Sequence, residues 1–315
     1  MKLIAMNKLN ANLPYVTIGI PVTKHEHFEE CLNSCIKQSF TNIEIIVVNN
    51  SLESKTKNKV KEITKLFNDE RIRYIENEKQ LPVLDNWNKS LSLAKGTFFS
   101  LLSDDDYYEE NFLTELILLH EKYQRIDLFH SRVRIITNDS NLQLLSSTCP
   151  EIEDYIDFIY HRIKGWRQQF LSEFLVKTEL LKLNKGFFYL PDAWGSDDIT
   201  WFMAAKKSLE VAYCDKPLFV YRNTTNNISN SMNITRKWAS IELYQNKLLE
   251  ILNQTVEIKD DYLNARIDLI RKEIPNFISK KYIDLISRFL SKSYYVPSLT
   301  LPLFLLLFKI YKKIR

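Results

Sequence analysis

Between residues 15 and 135 the chain repeats one pattern: a short unbroken run of apolar, mostly β-branched residues, then a stretch of helical period. Nothing else in the sequence constrains the fold as tightly. An unbroken apolar run must be buried on both faces, and a parallel sheet with helices over both faces is the arrangement that buries it. Val16–Ile20 (closed by Pro21) and Glu44–Val48 are such runs, and Ile72–Ile75, Phe98–Leu102 and Asp127–Val133 are the further strands expected. Between them the spacing predicts helices over Glu26–Gln38, Leu52–Phe67, Leu84–Lys95 and Glu109–Tyr123, with Gly96 as the cap that stops the third. Phe28, Cys31, Leu32 and Cys35 fall on one face of the first helix, which makes the two cysteines small core residues. A zinc site with His25 or His27 would need a second ligand pair that the sequence lacks. The four cysteines form no disulfide framework, and a reducing cytoplasm fits them.

The second half is less regular. Leu171–Val176 is expected as a strand, Ile199–Lys207 as a helix, and Val211–Cys214 and Leu218–Tyr221 as short strands around Pro217. Residues 233–290 are helical and polar with repeated Leu and Ile. The tail differs in kind. Ser293–Phe308 carries no charge, and Lys309, Lys312, Lys313 and Arg315 follow it. It is shorter than the roughly 20 apolar residues a spanning helix needs, and Pro297 and Pro302 interrupt it. An apolar segment with a basic end fits the inner, cytoplasmic surface of the cell membrane; packing on this protein or a second subunit is the alternative. Residues 1–14 lack the apolar run of a signal peptide and are expected to be a flexible N-terminus.

Composition matters mainly for what it excludes. With 45% hydrophobic and 26% charged residues a globular core is expected, and a net charge of +4 without a basic run gives no nucleic-acid partner. There are five glycines and no GxGxxG or GxxxxGK[ST] loop, so any nucleotide phosphates are held in another way. The acidic triplet Asp104-Asp105-Asp106 follows the run Phe98–Leu102, at the carboxyl edge where open α/β sheets bind ligands. Adjacent carboxylates repel unless a cation or a helix N-terminus compensates. Mg²⁺ or Mn²⁺ takes one or two carboxylates together with phosphate oxygens. A second acidic pair, Asp197-Asp198 after Ser196, opens the helix Ile199–Lys207. It is either a helix cap with first-turn acids or a general base for a hydroxyl nucleophile. Trp194 and Trp166 are candidates for stacking on sugar faces, and Lys164 and Arg167 beside Trp166 for contacts to a diphosphate or acceptor.

Taken in order, these pieces resemble the GT-A glycosyltransferases of family 2. Strand, proline and helix at Val16–Pro21 and the stretch Glu44–Ser51 are similar to that family's opening and its EIIVVDDGS strand. Asn86–Gly96 resembles its "N…L…A.G" helix, Ser103–Asp106 its DxD-type element, Asp197-Asp198 its acidic base motif, and Tyr221-Arg222 its "YR" strand. The resemblance covers about residues 15–230. It implies a GT-A domain there, Rossmann-like with a mainly parallel sheet and flanking helices, followed by a helical C-terminal region at 231–292 and the tail at 293–315. It further implies that Pro21, Val22, Asn49, Asn50, Asn88 and Asp104 contact the nucleotide sugar, that Asp105, with Asp104 and Asp106 beside it, holds Mn²⁺ or Mg²⁺, and that Asp198 is the base. The implied reaction is inverting transfer from a nucleoside-diphosphate sugar to a glycan or glycolipid acceptor in bacterial surface polysaccharide or glycolipid assembly. Three departures stand out: Asn49 and Asn50 replace aspartates, Ser103 replaces the first acid of the DxD element, and no histidine follows Tyr221-Arg222. A catalytically silent nucleotide-sugar-binding module and a nucleotidyltransferase are the rival classes; the latter would release pyrophosphate.

Overall fold

The computed structural model describes residues 13–137, 140–224, 233–254 and 261–292. The five expected strands are β1 (Val16–Val22), β2 (Ile43–Asn49), β3 (Ile72–Glu76), β4 (Phe98–Leu101) and β6 (Leu128–Thr137). They are joined by β5 (Tyr107–Tyr108), β7 (Ser140–Leu145), β8 (Ile152–Asp154), β9 (Phe174–Lys177) and β10 (Glu210–Asn223). The main sheet has the order β3-β2-β1-β4-β9-β6-β10-β5. β3, β2, β1 and β4 pair in parallel, and so do β6 and β10. β9 runs against both β4 and β6, so β6 and β10 point the same way as β1 with one reversed strand between. The carboxyl ends of β1, β2, β4 and β10 therefore share one edge.

The helices are α1 (Phe28–Ile36), α2 (Ser54–Leu66), α3 (Val83–Ser92), α4 (Phe112–Lys122), α5 (Tyr155–Lys164), α6 (Thr178–Leu183), α7 (Ser196–Ser208), α8 (Ile234–Asn253) and α9 (Asp261–Lys292). Cys31 and Cys35 are fully buried on α1, as the apolar spacing there implies. Several expectations change: Pro21 does not close β1, which runs on to Val22, and Leu171–Glu173 is a 3₁₀ turn ahead of β9. α4 starts later than Glu109, because Tyr107 and Tyr108 first pair with Val220 and Phe219 of β10. The two short strands around Pro217 are one strand. Proline has no N–H to give the ladder, and the register to β6 shifts on both sides of it without ending the strand. Gly96 is not a helix cap, since α3 ends at Ser92 with Leu93 in helical conformation. Its constraint is space: a Cβ there would sit 2.5 Å from the backbone nitrogen of Thr17 on β1.

Side chains alternate across the sheet. Phe98, Phe129, Leu175 and Ala212 join one apolar cluster with α1, α2 and α4, while Phe99, Leu128, Phe174, Val176 and Val211 join the other. The second cluster continues into the C-terminal helices through Ile241, Tyr244 and Leu248 of α8 and Ile267, Ile270, Ile274 and Ile278 of α9. These positions recur at helical spacing on one face. Each fully buried aliphatic side chain contributes about 1.5–3 kcal/mol, so α8 and α9 are bound into the same core as the sheet. Among the described residues no helix is long and apolar enough to cross a membrane. The expected N-terminal segment up to residue 12 and the tail 293–315 lie outside the described residues.

Candidate active site

A cavity of about 420 Å³ opens at the carboxyl edge of the sheet. At one end lie Pro21, Thr23, Lys24 and Asn50 with the triplet Asp104, Asp105 and Asp106; at the other lie Asp197, Asp198, Trp194, Arg162, Gln169 and Lys281.

The first end is a set of loops tied together by carboxylates. The chain leaves β1 at Val22, and Asp104 Oδ2 accepts hydrogen bonds from Thr23 N–H (2.6 Å) and Lys24 N–H (2.9 Å). Asp106 Oδ1 accepts from the backbone N–H of Arg222 at 2.8 Å, and Arg222 Nε donates to the Asp105 carbonyl at 3.0 Å. The Tyr221-Arg222 strand end thus clamps the acidic loop. The Asp105 carboxylate accepts from its own backbone N–H and from no other side chain among the described residues. Burial, then the charge of Asp105, pushes Asp104 up to about 6 and Asp106 well above the usual carboxylate range, and burial raises Asp105 as well. These carboxyls are raised because no cation faces them closely enough to offset desolvation. A hard divalent ion fits this set: Asp105 has no side-chain hydrogen-bond partner among the described residues, and there Asp104 and Asp106 each keep one oxygen without a hydrogen bond. Among the described residues no three His, Cys, Asp or Glu converge as a complete cage. An ion here would rely on phosphate oxygens for its remaining ligands, as Mg²⁺ commonly does.

The asparagines that replace aspartates have structural work. Asn50 lines the cavity, and its Nδ2 donates to the Leu81 carbonyl (2.9 Å) while its Oδ1 accepts from Leu81 N–H and from Asn77, both at 2.8 Å. Asn49 Nδ2 donates to the Lys57 carbonyl and the Tyr74 hydroxyl. A carboxylate has no donor for these bonds. Asn49 and Val22 are buried behind the cavity wall, not in it. Asn88 is also outside the wall, where its Oδ1 accepts from Phe187 N–H at 2.8 Å; Asn86 and Trp87 of the same helix line the cavity instead.

The second end is set by Gly195. Its φ of +88° is a left-handed conformation that favours glycine, and a Cβ would lie 2.9 Å from the Tyr244 ring. It starts α7 under Tyr244, with Asp197 and Asp198 in the first turn. Asp198, the base by resemblance, is 2% exposed and fully engaged. It accepts from Arg162 Nε (2.8 Å) and Nη2 (3.0 Å), from Gln169 Nε2 (3.1 Å) and from the Tyr244 hydroxyl (3.3 Å), and Lys281 Nζ lies 3.8 Å away. Burial acts to raise its carboxyl, but Arg162 and Lys281 outweigh that and hold it below the usual range. Asp197 is partly buried and lines the cavity; its carboxylate accepts from the Asp198 backbone N–H and from no other side chain among the described residues. Burial and the charge of Asp198 push it up to about 6.

Two of the sugar-site candidates fall elsewhere. Trp166 is 57% exposed and packs on Tyr160 and His161, away from the cavity. Arg167 is buried, ion-paired with Glu153 and set over the Phe158 ring, and Lys164 pairs with Glu273 on α9. Gly165, with φ +81°, ends α5 and turns both residues away. Trp194 does line the cavity. Arg162, Gln169 and Lys281 carry no local sequence signal: Arg162 is one basic residue on a basic helix end, and Lys281 lies far along the chain on a polar helix.

The model of the family "Glycosyl transferase family 2" matches residues 17–177. An uncharacterized glycosyltransferase of Haemophilus influenzae is 29% identical over 126 residues, which is 40% of this chain and 38% of that protein. The chain spans 38%, 24% and 15% of the lengths of the first three curated relatives it matches. Among solved structures, Staphylococcus aureus TarS 1–349 in complex with UDP-GlcNAc superposes with a TM-score of 0.62 at 17% identity, over 87% of this chain and 81% of that one. The mannosyltransferase PcManGT of Pyrobaculum calidifontis, in complex with GDP-Man and Mn²⁺, gives 0.55 at 14% identity, over 97% and 83%. Both likenesses speak to the fold. With half of its length matched by the family model and its sheet that of the GT-A enzymes, this chain belongs to glycosyl transferase family 2.

Proposed function

We propose that the protein transfers a sugar from a nucleoside-diphosphate sugar to a hydroxyl of a glycan or glycolipid acceptor, with inversion at the anomeric carbon. The observation that supports this reading is one cavity lined by two separate carboxylates that take no hydrogen bond from another side chain among the described residues, Asp105 at the end built by the sheet and Asp197 at the end built by the helices. The first end suits a diphosphate, with Asp105 as the main ligand and Asp104 and Asp106 beside it for Mn²⁺ or Mg²⁺. When bound, such an ion supplies the positive charge that neutralises the leaving diphosphate. That TarS and PcManGT were solved with UDP-GlcNAc and GDP-Man supports a nucleotide-sugar donor.

At the second end the acceptor oxygen forms its bond to the anomeric carbon as the bond to the diphosphate breaks, and its proton passes to a carboxylate. Two carboxylates whose environments push their pKa values apart divide such work between them. Asp198 has its oxygens occupied by donors, so it stays ionised and fixes Arg162. Asp197 lines the cavity with a carboxylate that no other side chain engages among the described residues, and takes the proton. The chain contributes mainly position, since holding both substrates in line removes much of the entropic barrier.

The test is a screen of nucleotide sugars by thermal shift with Mn²⁺, where a ligand at about 100 times its dissociation constant adds about 2.7 kcal/mol. Acceptors are then assayed for nucleoside-diphosphate release and the product's anomeric configuration by NMR. Release of pyrophosphate, or retention of configuration, would overturn the reading. The family resemblance and the apolar, basic-ended tail support work on surface polysaccharide or glycolipid at the inner face of the cell membrane. Deleting residues 293–315 is expected to move the protein from the membrane to the soluble fraction, and an unchanged distribution counts against a membrane contact.

A further inference from the structure

This inference rests on the donor reading above and names the base of that donor. Strands β2, β1 and β4 lie side by side, so Asn50, Thr23 and Asp104 follow one another along the carboxyl edge. Two strand spacings set Asn50 about 10 Å from the end of β4. With the diphosphate at Asp105 and the transferred sugar toward Asp197, the nucleoside takes the part of the cavity beyond β1. Pro21, Asn50, Val83 and Asn86 wall that part.

Three asparagines, each at most 3% exposed, fix what this wall offers. Lys89 Nζ donates to Asn77 Oδ1 at 2.6 Å. An ammonium only donates, so the Asn77 amide cannot turn over. Its Nδ2 donates to Asn50 Oδ1 (2.8 Å) and Asn86 Oδ1 (3.1 Å), and Asn77 stands behind the wall, so both oxygens turn inward. The Leu81 backbone holds Asn50 the same way, giving its N–H to Oδ1 and its carbonyl to Nδ2. Asn50 Oδ1 thus has both lone pairs filled, while one hydrogen of its Nδ2 stays uncommitted. Asn86 Nδ2 donates to nothing among the described residues and is not sealed from the cavity. The neighbouring carbonyls of Val22, Asn49 and Leu81 already accept from Asn50 N–H, Asn77 N–H and Asn50 Nδ2. The two polar side chains of this wall therefore present donors only.

Such a wall selects a base by its acceptors. Cytosine and adenine carry a bare ring nitrogen on the edge that pairs in a duplex. Uracil and guanine carry an N–H at that place, and against this wall it stays unpaired. A buried donor without a partner costs more than an ordinary hydrogen bond gains. We propose that the donor is a cytidine or adenosine diphosphate sugar, with Asn50 and Asn86 presenting their Nδ2 groups to the bare ring nitrogen. Lys89 lies outside the cavity wall and acts through Asn77 as a positioning residue.

Calorimetric titration of the full chain with CDP, ADP, UDP and GDP, each with Mn²⁺, tests this. CDP or ADP is expected to bind about ten-fold tighter or more than UDP and GDP; which of the two does so tells a one-ring base from a two-ring base. Asn86→Asp keeps one oxygen for Asn77 and turns the other to the cavity, so it should reverse the order in favour of UDP or GDP. Lys89→Met frees Asn77 to turn over and should abolish the preference, and Lys89→Arg should restore it. If Asn86→Asp does not fold, the wild type and the two Lys89 variants carry the test. Binding of none of the four overturns the donor reading and this inference with it. Equal binding of all four, tighter binding of UDP or GDP, or an unchanged preference in Lys89→Met overturns this inference alone.

Discussion

The two ends of the cavity hold acids in opposite ways. At the donor end, three carboxylates from one loop crowd together, tied by backbone N–H groups of Thr23, Lys24 and Arg222. At the acceptor end, two carboxylates from one helix turn are separated by their partners: Asp198 is gripped by Arg162, Gln169 and Tyr244, and Asp197 is left open. All three acids of the first set are raised, whereas the second set is split, one lowered and one raised. Crowded acids whose burial outweighs the nearby Lys24 and Arg222 suit a ligand that brings positive charge; a split pair suits proton transfer. The difference lies in neighbours, since aspartate stands at every position.

The sharpest way to break this contrast is to exchange roles within the split pair. Asp197→Asn is expected to lower the transfer rate by about 10² to 10⁴ with donor affinity unchanged, because a base contributes mainly in the transition state. A base must be ionised to accept a proton, so wild-type kcat/KM should fall as the pH drops through about 6. The Asn variant should lack that limb. A larger rate loss in Asp198→Asn than in Asp197→Asn, with the protein still folded, would return the base to Asp198.

Asp198→Asn should instead show itself in stability. It leaves Arg162 and Lys281 buried beside an amide, and removing one partner of a buried pair costs about 3–5 kcal/mol. Denaturant unfolding checks this; a loss as small as that of Asp197→Asn would mean the grip on Asp198 is weak. At the proposed donor end, Asp105→Ala should leave unfolding nearly unchanged, since among the described residues this carboxylate takes only a hydrogen bond from its own backbone N–H. It should weaken Mn²⁺-dependent nucleotide-sugar binding about ten-fold or more. Wild-type affinity in the variant would remove Asp105 from the site.

The smallest effect concerns Glu173, in the short 3₁₀ turn Leu171–Glu173 beside the cavity floor. Burial pushes it up to about 8, so it is protonated in the folded state where the unfolded chain has already ionised it. Wild-type stability should therefore fall between pH 4.5 and about 8 relative to Glu173→Gln, whose amide does not titrate. Parallel melting curves across that range would show Glu173 to be ionised in place.

Local pattern was enough for much of this. The alternation of apolar runs and helical stretches is a property of neighbouring residues, and it set the strands, their mainly parallel pairing and the carboxyl-edge position of Asp104–Asp106. Which side chain faces the cavity was another matter. Trp166 and Trp194 look alike in sequence, yet the left-handed Gly165 turns one to solvent while the chain around Gly195 keeps the other at the wall. Asn49 and Asn50 read as departures until the Lys57, Tyr74 and Leu81 groups they serve are seen.

The sequence by itself determined the fold class, the two acidic motifs and their order along the chain, because periodicity and adjacency are written in consecutive residues. Only the tertiary structure decided which acid of each motif is free. Arg162 and Tyr244 reach Asp198 across 36 and 46 residues, and Lys281 arrives from the C-terminal helix. A carboxylate's proton affinity depends on charges and donors within a few ångströms, and chain distance does not encode them.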